Sequence, residues 1–450
     1  MPPESPKTPE GTERVNLHRM LAARHAAGRP VRVGLIGAGK FATMFLAQAA
    51  RTDGLRLVAL ADLDVGRAHA ALRAAATPPE SVEVVTDDAQ AMVAGTDLDV
   101  VVEATGVPAA GVAHALACIA HGRHVVMVNV EADALVGPLL AERARAAGVV
   151  YSLAYGDQPA LIAELVDWAR TAGFEVVAAG KGTKYLPEYH ASTPDTVWQH
   201  YGLTPEQAAA GGMTAKMFNS FLDGTKSAIE MAAVANATGL TPPSDGLGFP
   251  PCGVDDLAER LKPRDAGGLL EASGMVEVVS SLARDGRAVD RDLRWGVYVV
   301  LAAASDYVAR CFAEYGLATD RSGRYTALYR PYHLIGLELG ISVASVALRG
   351  EATGSPEAFR GDVVATAKRD LAAGEVLDGE GGYTVWGKLL PAETSLRRGA
   401  LPIGLADGVA LKRPVAAGAQ IGWSDVTVDE AAPAVRLRRE LEAHHAAAAE

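Results

Sequence analysis

Residues 31–50 read "VRVGLIGAGKFATMFLAQAA", and this stretch decides the fold of the first third of the chain. An apolar run ends in a glycine turn, and a helical pattern follows. Gly37, Gly39 and Ala42 stand in the GxGxxA spacing. A glycine at 37 permits the tight turn, and a glycine at 39 lets a pyrophosphate approach the backbone. The small Ala42 lets helix and strand pack closely, and the helix N-terminus stabilises the phosphate charge. Lys40 and Phe41 open the helix beside the phosphates. An acid, Asp62, ends the next apolar run, "LVALAD". It lies about 20 residues beyond the turn, where a ribose-binding carboxylate belongs.

The pattern continues outward. "VEVVTD", "DVVVEATG", "HVVMVNVE" and "VVYSLAY" are short Val-rich runs, of the kind buried on both faces of a parallel sheet. Helical patterns over 41–51, 65–75, 109–121 and 135–147 separate most of them. Alternating strand and helix implies an α/β doubly wound, Rossmann-type domain, over residues 30–154. Thr105 and Gly106, at the end of "VVVEATG", are expected beside the nicotinamide ribose. Asn129, after the fifth strand, is expected near the nicotinamide. Asp62 favours NAD, because a 2′-phosphate would meet a carboxylate, whereas Arg67, five residues on, offers that phosphate a cation.

Residues 1–29 divide into a Pro-rich, acidic arm, read as disordered and unlike a signal peptide, and a short amphipathic helix. Residues 155–353 read as an α+β substrate and oligomerisation domain. Its expected elements are a helix at "ALIAELVDWARTAG", a strand at "FEVVAAGK", one long helix over 214–238 and a strand at "GMVEVVSSLA". A helix over the whole of "RWGVYVVLAAASDYVARCFAEYG" and a strand at "ISVASVALRG" complete it. Residues 354–429 are short strands punctuated by glycine, a small all-β domain. Residues 430–450 form a charged tail, helical or disordered.

Hydrophobic residues make up 49% of the 450 and charged residues 21%, with a net charge of −12. No basic block marks a nucleic-acid or anionic membrane surface. No apolar run reaches the ~20 residues of a membrane span. The three cysteines are far apart, which disfavours a disulfide framework and fits a reducing cytoplasm.

Chemistry is sought where strands end. Lys181 and Lys184 follow "EVVAAG", where a lysine can protonate a carbonyl oxygen or bind an anion. The glycines flanking Lys181 suggest backbone exposed to a ligand; surface lysines are the plainer alternative. Tyr185 and His190 are weaker candidates in the same segment. Glu131 follows Asn129 and would serve as an acid, a base or a ligand to a divalent metal, or else as a helix first-turn acid, the role that suits Asp133 better. In "KMFNSFLDGTKSAIEMA", Lys226 and Glu230 are an i,i+4 pair, sharing a face with Asn219 and Asp223. That polar stripe faces a cleft or solvent. No metal set is identified.

The blocks "GLIGAGKFA", "VVVEATG" and "GRHVVMVN" resemble homoserine dehydrogenases. In that family the last block continues Asn-Lys; here Val130 and Glu131 follow Asn129, so that catalytic lysine is missing. Across nearly the whole chain, "VMVNVEAD", "AGKGTKYLPEYHASTPDTVW" and "KMFNSFLDGTKSAIEMA" resemble the homoserine dehydrogenase-like, SAF-domain oxidoreductases. "AKRDLAAGEVLDGEGGYTVWGKL" resembles the SAF module itself, a β-clip fold. One member type resembles 1-deoxy-D-xylulose-5-phosphate reductoisomerase in activity and uses NADPH. The order Ser220, Lys226, Glu230 loosely echoes the phosphate- and metal-binding segment of regular reductoisomerases, with Thr225 in place of asparagine. The resemblance implies an NAD(P)-dependent oxidoreductase, cytoplasmic and homo-oligomeric, acting on a small hydroxy-carbonyl compound. The reaction is a reductoisomerisation of a phosphorylated ketose, or a simple dehydrogenation of a hydroxy acid or aldehyde. A non-catalytic nucleotide- or carbohydrate-binding protein is the alternative from another class.

Overall fold

The computed structural model describes residues 16–449; the arm read as disordered falls outside them. Six parallel strands form the first sheet: β1 Val31–Ile36, β2 Leu55–Ala61, β3 Val84–Thr86, β4 Val100–Glu103, β5 His124–Met127 and β6 Tyr151–Leu153. Their order is β3-β2-β1-β4-β5-β6, the doubly wound Rossmann arrangement. Alternate residues feed two cores, as the period of two requires. Val100 and Val102 enter one core with the helix Lys40–Ala49, and Val101 enters the other with the helix Val130–Ala146.

The second sheet holds β7 Glu175–Thr183, β8 Met275–Ser280, β9 Val297–Ala302 and β10 Tyr325–Arg330, in the order β10-β9-β7-β8. One face packs on the helices Gln158–Thr171 and Thr225–Thr238. The latter helix is buried nearly all round and also touches the helix Val130–Ala146 and the C-terminal strands. Those strands are β11 Gly361–Ala367 paired with β13 Val385–Pro391, and β12 Val376–Asp378, β14 Asp407–Leu411 and β15 Val426–Thr427 in a second small sheet. The fold is thus a Rossmann-type domain, a mixed central region and a small all-β module.

Four sequence readings are corrected. "ISVASVALRG" is not a strand but the helix Gly340–Arg349, whose Val343, Ala344 and Val346 pack into a core of the first sheet. "RWGVYVVLAAASDYVARCFAEYG" is not one helix. Its β-branched half is β9, and Ser305 caps a separate helix, Asp306–Glu314, by accepting the amide of Val308. The long helix over 214–238 is two, Ala215–Leu222 and Thr225–Thr238, broken at Gly224 with φ +89°. The helix expected from 135 begins at Val130, capped by Asn129.

The charged tail is the helix Pro433–Ala449. Its Arg438 is fully buried. The guanidinium donates from Nη1 to Asp362 Oδ1 at 3.0 Å and to the carbonyl of Leu135 at 3.2 Å, and from Nε to Glu442 at 2.9 Å. It ties the first domain to β11. Among the described residues no helix is long and apolar enough to cross a membrane.

Candidate active site

The cofactor turn follows from its glycines. Gly37 adopts φ +96°, and a Cβ there would lie 2.7 Å from the carbonyl oxygen of Ala104. Gly39 sits at the N-terminus of the helix Lys40–Ala49, which has no side-chain cap, and a Cβ on it would meet no protein atom within 4 Å. Open space in front of uncapped amides is what a pyrophosphate needs. Ala42 is buried in the strand–helix contact. Lys40 reaches across to the carbonyl of Gly211 at 3.4 Å, and the Gly336 backbone packs against Phe41 and Met44. Segments of the central domain therefore border the turn.

Asp62, at the end of β2, accepts the amides of Ala38 (2.7 Å) and Asp64 (2.8 Å). Arg67 adds two bonds, at 3.2 and 2.6 Å. Burial pushes this carboxyl up, but the Arg67 and backbone bonds outweigh it and hold it below the usual range. The Arg67 side chain is 56% exposed and that of Asp62 only 3%, so a cation rather than a carboxylate forms the outer rim.

Thr105 donates to Glu103 Oε1 at 2.6 Å and accepts Asn129 Nδ2 at 3.2 Å. Asn129 is buried, its other contacts being the carbonyl of Val107 and the amide of Ala132. It positions the loop at the end of β4. Gly106 is in the left-handed region with nothing near a Cβ.

The carboxyl edge of the first sheet continues into a charged cluster. Glu131, in the first turn of its helix, pairs with Lys226 in the first turn of the helix Thr225–Thr238. One turn on, Glu230 pairs with Lys181 from β7. Lys181 is 6% exposed and Glu230 3%. Asp157, the cap of the helix Gln158–Thr171, is buried beside them. Burial first, then Glu230, raises its carboxyl from 3.8 to about 7. Glu380, from the loop between β12 and β13, is raised to about 8 by burial and by Glu131. Burial alone would lower Lys226, but Glu131, Glu380, Glu230 and Asp157 together push it above the ordinary lysine value. Thus Glu131, Lys226, Glu230 and Lys181 come together, joined by Asp157 and Glu380.

The sequence reading missed both of those acids. Asp157 stands between β6 and a Gln-Pro helix start, a strand-end position where an acid doubles as cap and site residue. Glu380 is a lone charge inside a run of glycines.

Two candidates stand apart. Lys184 points away from the cluster, donating to the carbonyl of His200 and lying 5.6 Å from the Tyr201 ring centroid. Burial, then Arg294, lowers its pKa. His190 is fully engaged. The Asp223 carbonyl can only accept, so Nδ1 carries the proton at 2.7 Å and Nε2 accepts the Tyr185 hydroxyl at 2.9 Å. Stacked on Trp386 at 3.8 Å, it is lowered by burial to about 4 and stays neutral.

The glycines flanking Lys181 also have a different purpose from the one expected. A Cβ on Gly180 would lie 1.8 Å from the Glu277 carbonyl oxygen, and one on Gly182 would lie 1.9 Å from that of Leu293. They admit neighbouring backbone, not a ligand. Of the remaining polar stripe, Asp223 pairs with the buried Lys368 at 2.8 Å, and Asn219 donates to the carbonyls of Ser192 and Gly381. The SAF-like module is fastened there. The cluster's carboxylates face lysines, and among the described residues no group of three or more His, Cys, Asp or Glu stands where it could hold a metal.

Three family models match: the homoserine dehydrogenase NAD binding domain over residues 33–153, the catalytic domain of oxidoreductase DRL over 156–339, and the SAF domain over 362–427. No curated protein matches the chain. Among solved structures, scyllo-inositol dehydrogenase from Lactobacillus casei is 13% identical, over 73% of this chain and 91% of its own, with a TM-score of 0.38. Myo-inositol dehydrogenase from Lactobacillus casei, in complex with NAD(H) and myo-inositol, is 13% identical over 60% and 71%, with a TM-score of 0.33. The WlbA dehydrogenase from Bordetella pertussis, in complex with NADH and UDP-GlcNAcA, is 22% identical over 35% and 45%, with a TM-score of 0.27. Likenesses this weak carry no argument about substrate. With a homoserine dehydrogenase-type NAD-binding domain, a DRL catalytic domain and a SAF domain in that order, the chain has the make-up of the SAF-domain oxidoreductases it resembles and is an NAD(P)-dependent oxidoreductase.

Proposed function

We propose that the protein catalyses the reversible reduction of the carbonyl group of a small hydroxy-carbonyl compound, with Lys181 as the proton donor. The observation that carries this reading is the buried Lys181–Glu230 pair set beside Lys226–Glu131 at the carboxyl edge of the dinucleotide-binding sheet, where ligands of such folds sit. The nicotinamide supplies or takes the hydride when bound. Gly37, Gly39 and the helix N-terminus hold its pyrophosphate, and Asp62 with Arg67 meets the adenine ribose. Arg67 sets the ratio of NADP to NAD, since it is the outward group of that pair. In the reducing direction, Lys181 gives a proton from Nζ to the carbonyl oxygen and recovers one through Glu230. Lys226 steadies the oxyanion that forms. No step is assigned to a metal.

More carboxylates than ammonium groups line the cluster, which suits a hydroxylated, uncharged reacting end better than a phosphate placed there. The test is oxidation of NADH and NADPH over hydroxy-aldehydes, hydroxy-ketones, hydroxy acids and phosphorylated ketoses, with and without Mg²⁺ or Mn²⁺. Turnover of a hydroxy-carbonyl without skeletal change supports the proposal. Turnover confined to a phosphorylated ketose, with a rearranged product and divalent-ion dependence, replaces it with a reductoisomerase. Cofactor binding with no carbonyl turned over makes the protein a binding module.

A further inference from the structure

We propose that a cleft on the opposite face of the central sheet from the cluster binds a small organic phosphate. The cleft measures about 410 Å³ and is bordered by Arg260, Arg264 and Arg284, a volume within the range of small-metabolite sites. Its position follows from β8. Val276 and Val278 enter the core that contains the helix Thr225–Thr238, the helix that bears Glu230, whereas Met275 and Val279 enter the core on the other face. Glu277 alternates with the valines, and its carboxylate accepts the amides of Gly248 and Phe249, in the segment that runs along the edge of β8, at 3.0 and 3.3 Å.

The charge of the cleft is unbalanced. Among the described residues, Arg260 and Arg264 form no side-chain hydrogen bond or ion pair. Arg284 is held in place, donating to the Gly248 carbonyl at 2.9 Å and lying 5.5 Å from the Tyr185 ring centroid. Of the two acids present, Glu271 is occupied by the Ser244 amide and hydroxyl at 3.1 and 2.8 Å. Burial raises Glu277 to about 7, against the backbone bonds that lower it, so near neutrality it carries only part of a charge. Guanidinium groups are permanently charged and match phosphate oxygens in pairs. Leu269, Leu270 and Met275 add an apolar wall for the body of the ligand.

The test is calorimetric titration of the full chain with inorganic phosphate and with ribose 5-phosphate, in the presence of saturating NADH. Saturable binding is expected, unchanged in Lys181→Met and weakened at least about tenfold in Arg260→Glu/Arg264→Glu. Both arginines are exposed, and unchanged NADH affinity in that variant certifies its fold. Absence of saturable binding overturns the proposal. So does binding lost in Lys181→Met, which places the ligand in the catalytic cluster, or binding indifferent to the arginine changes.

Discussion

Replacing Lys181 by methionine separates a catalytic lysine from a structural one. Methionine retains much of the apolar stem and removes the ammonium. Glu230 then loses a partner in a site where it is 3% exposed. Breaking a buried pair from one side costs about 3–5 kcal/mol. The loss here should lie at or below the lower end, about 2–3 kcal/mol, because Lys226 lies one turn away and is itself drawn to Glu230. Tm then falls by on the order of 5 °C. Turnover should fall further than stability suggests, by about 10²–10⁴-fold, the usual contribution of a general acid. The assay is steady-state oxidation of the reduced cofactor with the substrate found in the carbonyl screen, alongside thermal unfolding and NADH titration. Lys181→Met/Glu230→Gln supplies the control. With the stranded charge gone, stability recovers in large part while turnover stays lost. Turnover of Lys181→Met within about threefold of the parent would refute the reasoning, as would a double variant that regains both stability and rate.

The two turn glycines should fail in different ways. Gly39→Ala has room for its methyl group and should cost under about 1 kcal/mol, yet abolish cofactor binding by fluorescence titration; Gly37→Ala meets the Ala104 carbonyl and should unfold the domain at lower temperature. Arg67→Ala should raise KM for NADPH at least about tenfold and leave that for NADH within about threefold; an unchanged ratio in steady-state kinetics removes Arg67 from the choice. Asp157 binds a proton in the folded state that the unfolded chain has released, between 3.8 and about 7. Its contribution to stability therefore falls as pH rises through that window and is level above it. Asp157→Asn should flatten the decline in denaturant titrations run across that range, and an unaltered slope counts against the assignment. Arg438→Met leaves Asp362 and Glu442 without their buried cation and should lower stability by about 3–5 kcal/mol in the same assay.

The first domain was readable because its rules are local. A glycine turn, an acid after the next strand and Val-rich runs each carry their meaning within a few residues, and the alternation of strand and helix implies a parallel, doubly wound sheet. The central region obeys longer-range demands. "ISVASVALRG" has the β-branched composition of a strand, but Val343, Ala344 and Val346 are wanted on one face against the first sheet, and that contact makes it a helix. Lys181 and Lys184 are indistinguishable in sequence. Register on β7 gives one to the helix Thr225–Thr238 and leaves the other to His200. Glu131 and Lys226 were each visible as strand-end or stripe residues, but their pairing joins positions far apart in the chain, and nothing local announces it. Asp157 and Glu380 were missed for the same reason: each looks like a cap or a loop charge until the partner helix arrives.

That dependence on distant segments also explains why the SAF module is part of the site. Glu131 comes from the first domain, Lys181, Lys226, Glu230 and Asp157 from the centre, and Glu380 from the SAF loop. Fully ionised, the cluster would hold two more negative than positive charges in a poorly solvated space, and such a group relieves itself by keeping protons. The elevated carboxyls at Asp157 and Glu380 are where those protons rest. In the proposed reaction, a proton leaving Lys181 for the carbonyl oxygen would be replaced from within the cluster rather than from bulk water. Gly381, with φ +68° and a Cβ position 2.0 Å from the carbonyl oxygen of Lys216, lets the SAF loop approach the helix Ala215–Leu222 closely enough to deliver Glu380. A side chain at 381 would push that loop outward, take one proton store from the cluster and leave Lys226 with fewer carboxylates around it. In that reaction the module would contribute by completing the electrostatics of a lysine pair it does not itself contain.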